Sequence, residues 1–212
     1  HRIASSYFLD GSALGDGGTQ SDATWKEDLK TRFGLVLAND KKKAHPPPDQ
    51  WRNVFKSIFE LDPNSLVHGV LIPQWQIKIT RALTAHLEAF GAGRVDRSGV
   101  KFDRLGKTTP GPPLFPGGHA TPEAIRATFV LDLCLIRSFG RKRGLHTLGL
   151  SEKQKEFLVA LALWKIQRLL ASPFRFRSGC HLRCIALQSH EHEIELDIDI
   201  AAAISAAGFG AP

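Results

Sequence analysis

The stretch that decides how this chain is interpreted is Phe174-Arg-Phe-Arg-Ser-Gly-Cys-His-Leu-Arg-Cys184. In a β-strand, successive side chains alternate between the two faces of the sheet. One face would then carry the core set Phe174, Phe176, Cys180, Leu182 and Cys184. The other would carry Arg175, Arg177, His181 and Arg183. Three guanidiniums and an imidazole on one face predict a binding platform for an anionic ligand such as nucleic acid.

The composition also favours a polyanionic partner. The chain has 212 residues and a formal net charge of +7, and 42% of its residues are hydrophobic. Such a chain can bury a sizeable core, and its basic excess favours association with nucleic acid. Its three cysteines cannot form an even-numbered disulfide framework, which favours a reducing cytoplasm. No apolar run approaches the roughly 20 residues that a membrane span needs, so we expect no membrane partner.

Hydrophobic periodicity predicts four helices, which begin near Asp22, Asp49, Thr80 and Ser151. The helix from Thr80 would align Leu83, Leu87 and Phe90 along one stripe. The helix at 151–170 has the clearest signals, because Ser151 and Gln154 can form a capping box before a broad apolar stripe.

Strand patterns complete the predicted fold. Residues 65–72 are rich in β-forming side chains and bounded by prolines, and residues 94–105 form an extended segment or hairpin. Residues 125–139 suit a central strand or a buried helix, and their β-branched and aromatic start favours the strand. With the strand at 174–184, the order is βαββαβ. This is a ferredoxin-like α+β plan whose open sheet face binds single strands in RNA-recognition domains.

The predicted domain organisation has three parts. Residues 1–63 form an N-terminal segment of helices and loops, including the basic loop with Lys41, Lys42 and Lys43. Residues 64–187 form the ferredoxin-like domain. Residues 188–212 form an acidic segment followed by an Ala/Gly tail.

Basic residues outside the opening stretch extend the candidate surface. Lys78 and Arg81 flank Thr80 at the predicted start of a helix, where backbone N–H groups favour phosphate. Arg94, Lys101 and Arg104 follow in the extended segment. Ordinary solvated charge is the alternative interpretation of each of these residues.

The residues favour neither a metal site nor catalysis. Cys180, His181 and Cys184 are zinc-ligand types, but on one strand the two thiols would face inward and the imidazole outward. Two core cysteines are the simpler interpretation. The aspartates are scattered without the pairing that acid–base catalysis needs, and no nucleophile motif occurs. We therefore expect a protein that is not an enzyme and that uses no cofactor.

Several segments are similar to one family, the backbone subunit of type I-G (formerly I-U) CRISPR effector complexes in the RAMP superfamily. The similar segments are residues 64–70, 80–89, 129–139, 161–166 and 174–180. The segment His1-Arg-Ile-Ala-Ser-Ser-Tyr-Phe-Leu9 resembles a part that usually lies well inside the family's chain. We therefore expect residues upstream of His1 that are absent from this sequence.

The resemblance implies a modified ferredoxin-like palm with inserted, finger-like elements. Family members polymerise head to tail along a CRISPR RNA and present its guide bases to target DNA beside other subunits of the complex. Phosphate contacts position such a guide, while base pairing determines the sequence that is recognised. The family's thumb element has two candidates, the loop around Lys41 and residues 106–118. We predict the RNA-binding residues to be Arg2, Lys78, Arg81, Arg94, Lys101, Arg104, Arg175, Arg177, His181 and Arg183.

Two other functions are compatible with the sequence. An RNA-processing endonuclease of the same superfamily would need a general base, and His68 or His181 could supply it. A ferredoxin-like assembly domain without nucleic acid would use the basic surface for an acidic protein partner.

Overall fold

The computed structural model describes residues 3–4, 22–37, 44–91, 93–95, 119–121, 123–144, 146–177, 180–189 and 192–209. Its helices are α1 (Asp22–Arg32), α2 (Trp51–Leu61), α3 (Pro63–His68), α4 (Leu133–Ser138), α5 (Glu152–Leu170) and α6 (Ile200–Ala206), with short 3-10 helices at Pro48–Gln50 and Pro73–Trp75. Its strands are β1 (Ile3–Ala4), β2 (Val36–Leu37), β3 (Ala44–His45), β4 (Val70–Ile72), β5 (Ile77–Ile79), β6 (Leu83–Phe90), β7 (Gly93–Val95), β8 (His119–Thr121), β9 (Ala124–Leu131), β10 (Gly140–Arg143), β11 (His146–Gly149), β12 (Phe174–Arg177), β13 (Cys180–Leu182), β14 (Gln188–Ser189) and β15 (His192–Glu193). Helices and small sheets are mixed along the chain, which confirms the α+β class.

The chain divides into two compact units. The first comprises His1–Thr84 and Val130–Pro212, and the second comprises Ala85–Phe129. Within the described part of the second unit, Glu123 N–H donates to the Phe90 carbonyl, and the Arg126 guanidinium lies 5.0 Å from the centroid of the Phe90 ring. The domain boundaries predicted after residues 63 and 187 remain predictions.

The core of the first unit is built by the apolar faces of several helices and one small sheet. In that sheet β1 runs parallel to β4, and β4 runs antiparallel to β5. Helix α2 buries Val54, Ile58 and Phe59, and α5 buries Phe157, Leu158 and Ala162. The Phe59 ring meets Phe157 edge-on at 5.9 Å between centroids. Burial of these aromatic and aliphatic side chains is the main stabilising contribution to the unit.

Three predicted helices are confirmed because their signals are local. Helices α1 and α2 occur where the apolar spacing predicts them, with Trp25 and Leu29 of α1 buried. At α5 the Ser151 hydroxyl accepts a hydrogen bond from Gln154 N–H at 3.2 Å, and the Gln154 side chain accepts one from Ser151 N–H at 2.9 Å. This is the predicted capping box, in which each residue satisfies a backbone donor of the other.

The predicted strand at 65–72 is wrong in its first half, which is helix α3. Asp62 caps this helix by accepting a hydrogen bond from Asn64 N–H at 3.2 Å and another from the Ser65 hydroxyl. Pro63 suits the first helical position, where no N–H donor is required. Only Val70–Ile72 form a strand. The pair Asp62-Pro63 therefore outweighs the β propensity of the residues that follow.

The predicted helix from Thr80 is wrong, because Leu83–Phe90 form strand β6, which pairs with β9. Leu83 and Leu87 are four residues apart, a spacing that fits one face of a helix and also one face of a strand. Both are half-buried, while most other residues of β6 are exposed. Backbone bonds at Ala82, which donates to Val67 and accepts from Asp132, hold the chain extended before β6.

Residues 125–139 divide between the two structures that the sequence allowed. Strand β9 ends at Leu131, and α4 begins at Leu133. Asp132 separates them, because its carboxylate accepts a hydrogen bond from Leu135 N–H at 2.8 Å and caps the helix. The preference for a strand throughout is therefore wrong after Leu131.

The opening stretch is a hairpin rather than one strand. β12 and β13 pair with each other in an antiparallel two-stranded sheet, and the described residues show no hydrogen bonding between this sheet and the one that contains β4 and β5. The element order of residues 64–187 thus departs from βαββαβ at β6 and at this hairpin. Among the described strands, β12 pairs only with β13 and so does not join the sheet of β4 and β5 as a fourth strand.

Candidate nucleic-acid interface

The β12–β13 hairpin still brings predicted cations together. Arg175 lies directly opposite His181, and Phe174 lies opposite Leu182. Opposite residues of an antiparallel pair lie on the same face, so the two exposed basic side chains share a surface. The predicted pairing of Arg175 with His181 on one face survives, although the chain reverses between them.

The apolar face of the same hairpin differs from the prediction. The register shifts between Arg175 and Arg177, and Phe176 is 57% exposed instead of buried. Cys180 and Cys184 are half-buried. Arg183 is exposed just after β13, whereas the Arg177 side chain lies outside the described part of the structure. The hairpin therefore exposes an aromatic ring beside its cations.

Lys78 and Arg81 lie in a different setting from the one predicted. Lys78 is exposed in β5 between buried Ile77 and Ile79, and it lies opposite Leu71. Arg81 is exposed in the connection to β6. Because a strand follows, no helix N-terminus is present to supply N–H donors for phosphate. These two residues offer side-chain cations only.

The remaining predicted cations cannot be placed as side chains. Arg94 lies in β7 opposite Ala120, and its side chain is outside the described residues. Arg2, Lys101 and Arg104 lie outside the described residues altogether, as do residues 106–118 and the part of the other thumb candidate that contains Lys41, Lys42 and Lys43.

A second basic hairpin was not in the predicted set. β10 and β11 pair Arg141 with Leu148 and Lys142 with Thr147, and both cationic side chains are exposed. The run Arg141-Lys-Arg143 marks this position in the sequence, but a basic turn alone gives no reason to prefer it over other charged loops.

A half-buried polar cluster links α3 to α5. The Lys165 ammonium donates to the Asn64 side-chain oxygen and lies 2.7 Å from His68 Nε2. Burial and the Lys165 charge lower the pKa of His68. Burial likewise lowers the pKa of Lys165, and the nearby Asp62 carboxylate opposes that shift. A neutral His68 that accepts this hydrogen bond has its Nε2 lone pair occupied.

The engagement of the His68 Nε2 lone pair argues against His68 as the general base of an RNA-processing endonuclease. A general base must reach the proton that it removes through a free lone pair. The Nε2 lone pair of His68 is engaged by the Lys165 ammonium. His181, the other candidate base, is exposed and lies opposite Arg175. Among the described residues, no group of three or more His, Cys, Asp or Glu side chains could hold a metal ion.

Part of the chain matches a known family model. Residues 1–94 match the family model described as CRISPR-associated protein GSU0053. Comparison with curated proteins found no match. The family match supports a CRISPR-associated role, and with it a prokaryotic origin. None of the described helices is long and apolar enough to cross a membrane.

Proposed function

We propose that this protein is the guide-RNA-binding backbone subunit of a type I-G CRISPR effector complex. In this role, copies of the chain polymerise along a CRISPR RNA in the cytoplasm and, with other subunits, present its bases to target DNA. The match of residues 1–94 to a CRISPR-associated family model carries the proposal. The resemblance of segments between 64 and 180 to the backbone subunit supplies the finer assignment.

Exposed cations of the first unit support RNA as the ligand. The predicted residues that the structure exposes there are Lys78, Arg81, Arg175, His181 and Arg183. Arginine suits phosphate through its planar fork, and phosphate contacts hold a guide without reading its sequence. The protein acts as a scaffold in this proposal, with no catalytic step of its own. The engagement of His68 by Lys165 supports a scaffold over an RNA-processing nuclease.

The test measures RNA affinity as a function of salt. Purified protein should bind single-stranded RNAs of unrelated sequence with similar affinity, and the affinity should fall steeply as salt rises. Arg175→Glu with Arg183→Glu should weaken binding at least tenfold and reduce the salt slope by about 1.4, at roughly 0.7 per phosphate contact on a single strand. The control, Arg52→Glu with Lys56→Glu on the exposed face of α2, changes net charge equally and should leave the slope unchanged.

Two outcomes would contradict the proposal. Affinity that is insensitive to the hairpin variant but falls with the control would place the RNA on another surface. Specific cleavage of a repeat RNA by the pure protein would favour the endonuclease. Assembly is tested separately, since doubling the RNA length should raise the number of bound copies seen by native mass spectrometry.

A further inference from the structure

The β10–β11 hairpin lies in a part of the chain whose charged residues are all basic. Between Asp132 and Glu152 the sequence carries Arg137, Arg141, Lys142 and Arg143 and no acidic residue. Arg141 and Lys142 are exposed, and neither side chain forms a hydrogen bond or ion pair with the described residues. Their charges are therefore available to a ligand, in contrast to Lys30, Lys56 and Lys153, which pair with carboxylates.

The base of this hairpin is held tightly against its own surroundings. Gly140 lies so close to the Leu150 backbone that a Cβ atom would overlap the Leu150 carbonyl oxygen. At Gly149, where φ is +80°, a Cβ atom would likewise overlap the Phe139 carbonyl oxygen. Leu150 N–H donates to that carbonyl at 3.1 Å, which closes the base.

A buried lysine joins the hairpin base to α5. The Lys155 side chain is 8% exposed, and its ammonium donates to the Gly140 carbonyl at 3.1 Å. The same ammonium pairs with Glu152 at 2.7 Å. A buried ammonium is stable only when it is hydrogen-bonded and paired in this way. The two exposed cations are neighbours in β10 and so project from opposite faces of the hairpin. They share a backbone whose base is fixed, so little backbone ordering is needed when they bind a ligand.

The hairpin lies at the opposite end of α5 from β12–β13. α5 has 19 residues, and β11 precedes it while β12 follows it. A helix of this length spans about 28 Å. The chain therefore carries two basic hairpins separated along one rigid helix, a spacing that an extended single strand of several nucleotides can bridge.

We propose that the β10–β11 hairpin is a second contact for the RNA phosphate backbone, made by Arg141 and Lys142. This proposal rests on the proposed guide-RNA function. Phosphate fits better than an acidic protein, because protein interfaces draw affinity from large apolar anchors. The exposed residues described in this hairpin are Arg141, Lys142, Gly144, His146 and Thr147, with no large apolar side chain among them.

The experiment compares three charge-reversal pairs on one single-stranded RNA. They are Arg141→Glu/Lys142→Glu, Arg175→Glu/Arg183→Glu and the control Arg52→Glu/Lys56→Glu. The first should weaken binding at least tenfold and lower the salt slope by about 1.4. The neutral pair Arg141→Gln/Lys142→Gln should lower the slope similarly, which separates lost contacts from new repulsion. Thermal unfolding of each variant shows that it remains folded.

The outcomes separate this proposal from the function on which it rests. If Arg141→Glu/Lys142→Glu behaves like the α2 control while the β12–β13 pair weakens binding, the second contact is wrong and the RNA-binding function stands. If the unchanged protein binds no RNA, both are wrong. A loss of affinity with an unchanged salt slope would also overturn the contact, because the number of phosphate contacts, and so of released counterions, would be unchanged.

Discussion

The two basic hairpins at the ends of α5 carry similar charge but differ in how their backbones are held. β10–β11 is closed at its base by Gly140 packed on Leu150, and Lys155 bonds it to the helix. β12–β13 has a register shift next to Arg175, and it exposes the Phe176 ring. Charge indicates the class of ligand, whereas the packing of the backbone decides how rigidly that charge is presented.

The difference matters for binding energetics. Cations on a fixed hairpin meet a phosphate chain with little loss of backbone conformational freedom, which favours binding. The exposed Phe176 adds a ring on which a base could stack, a contact that tolerates any sequence. In the proposed RNA complex the two hairpins would therefore hold one strand in complementary ways.

The largest expected effect comes from adding a methyl group at Gly140, at the base of the β10–β11 hairpin. In Gly140→Ala the new methyl group would overlap the Leu150 backbone, which cannot move without breaking the hairpin. We expect a loss of about 3 kcal/mol in the free energy of unfolding, measured by urea denaturation. The control is Gly144→Ala at the turn, where φ is +59° and, apart from its chain neighbours, no described atom lies within 4 Å of the added Cβ. Its expected cost is only about 1 kcal/mol. Equal losses in the two variants would show that Gly140 is not packed tightly against the Leu150 backbone.

A smaller effect should follow from removing the buried ammonium. Lys155→Met leaves the Gly140 carbonyl without its donor, at an expected cost of about 1–3 kcal/mol. Lys153→Met, two residues away, removes an exposed pair with Glu156 at 2.9 Å and should cost no more than about 0.5 kcal/mol. Hydrogen exchange of the β10–β11 amides should accelerate only in Lys155→Met. Unchanged hydrogen exchange of these amides in Lys155→Met would show that Lys155 does not contribute to the rigidity of the hairpin.

The smallest effect is on the pH dependence of stability and concerns His68, the α3 residue that bonds to Lys165 of α5. Since the folded protein lowers the pKa of His68, the unfolded chain takes up that proton more readily. Stability should be full above the ordinary histidine pKa of about 6.5 and should decline as the pH falls from there through the lowered value. His68→Gln retains an acceptor for Lys165 but does not titrate, so its decline should be shallower. Parallel pH profiles of the two proteins would assign the decline to another group.

Local signals along the chain predicted much of the helical structure. Two examples are the capping box at Ser151 and Gln154 and the spacing of Trp25 and Leu29. Each involves residues within one or two helical turns, so it can be recognised from the sequence alone. The errors arose where one pattern serves two structures. Leu83 and Leu87 fit a helix or a strand, and Asp62-Pro63 began a helix inside a β-rich run.

At the candidate site, too, the local pattern was predicted correctly and the longer-range structure was not. Alternation along residues 174–184 placed Arg175 and His181 on a common face, and the hairpin keeps them opposite each other. The prediction of one continuous strand failed because the chain reverses between β12 and β13, which keeps these two residues on one face but in two shorter strands. The second hairpin was missed because Gly140 and Lys155 look ordinary until their partners are known.

By itself the sequence determined the basic charge, the caps of α5, the alternation of Arg175 with its apolar neighbours and the resemblance to a family. These properties depend on residue types and on spacings of a few positions. The tertiary structure decided which strands pair, which glycine meets a backbone carbonyl and that Lys165 reaches His68 across 97 residues of chain. Such contacts join segments that are distant in sequence, and their formation depends on how the whole core packs rather than on any local pattern.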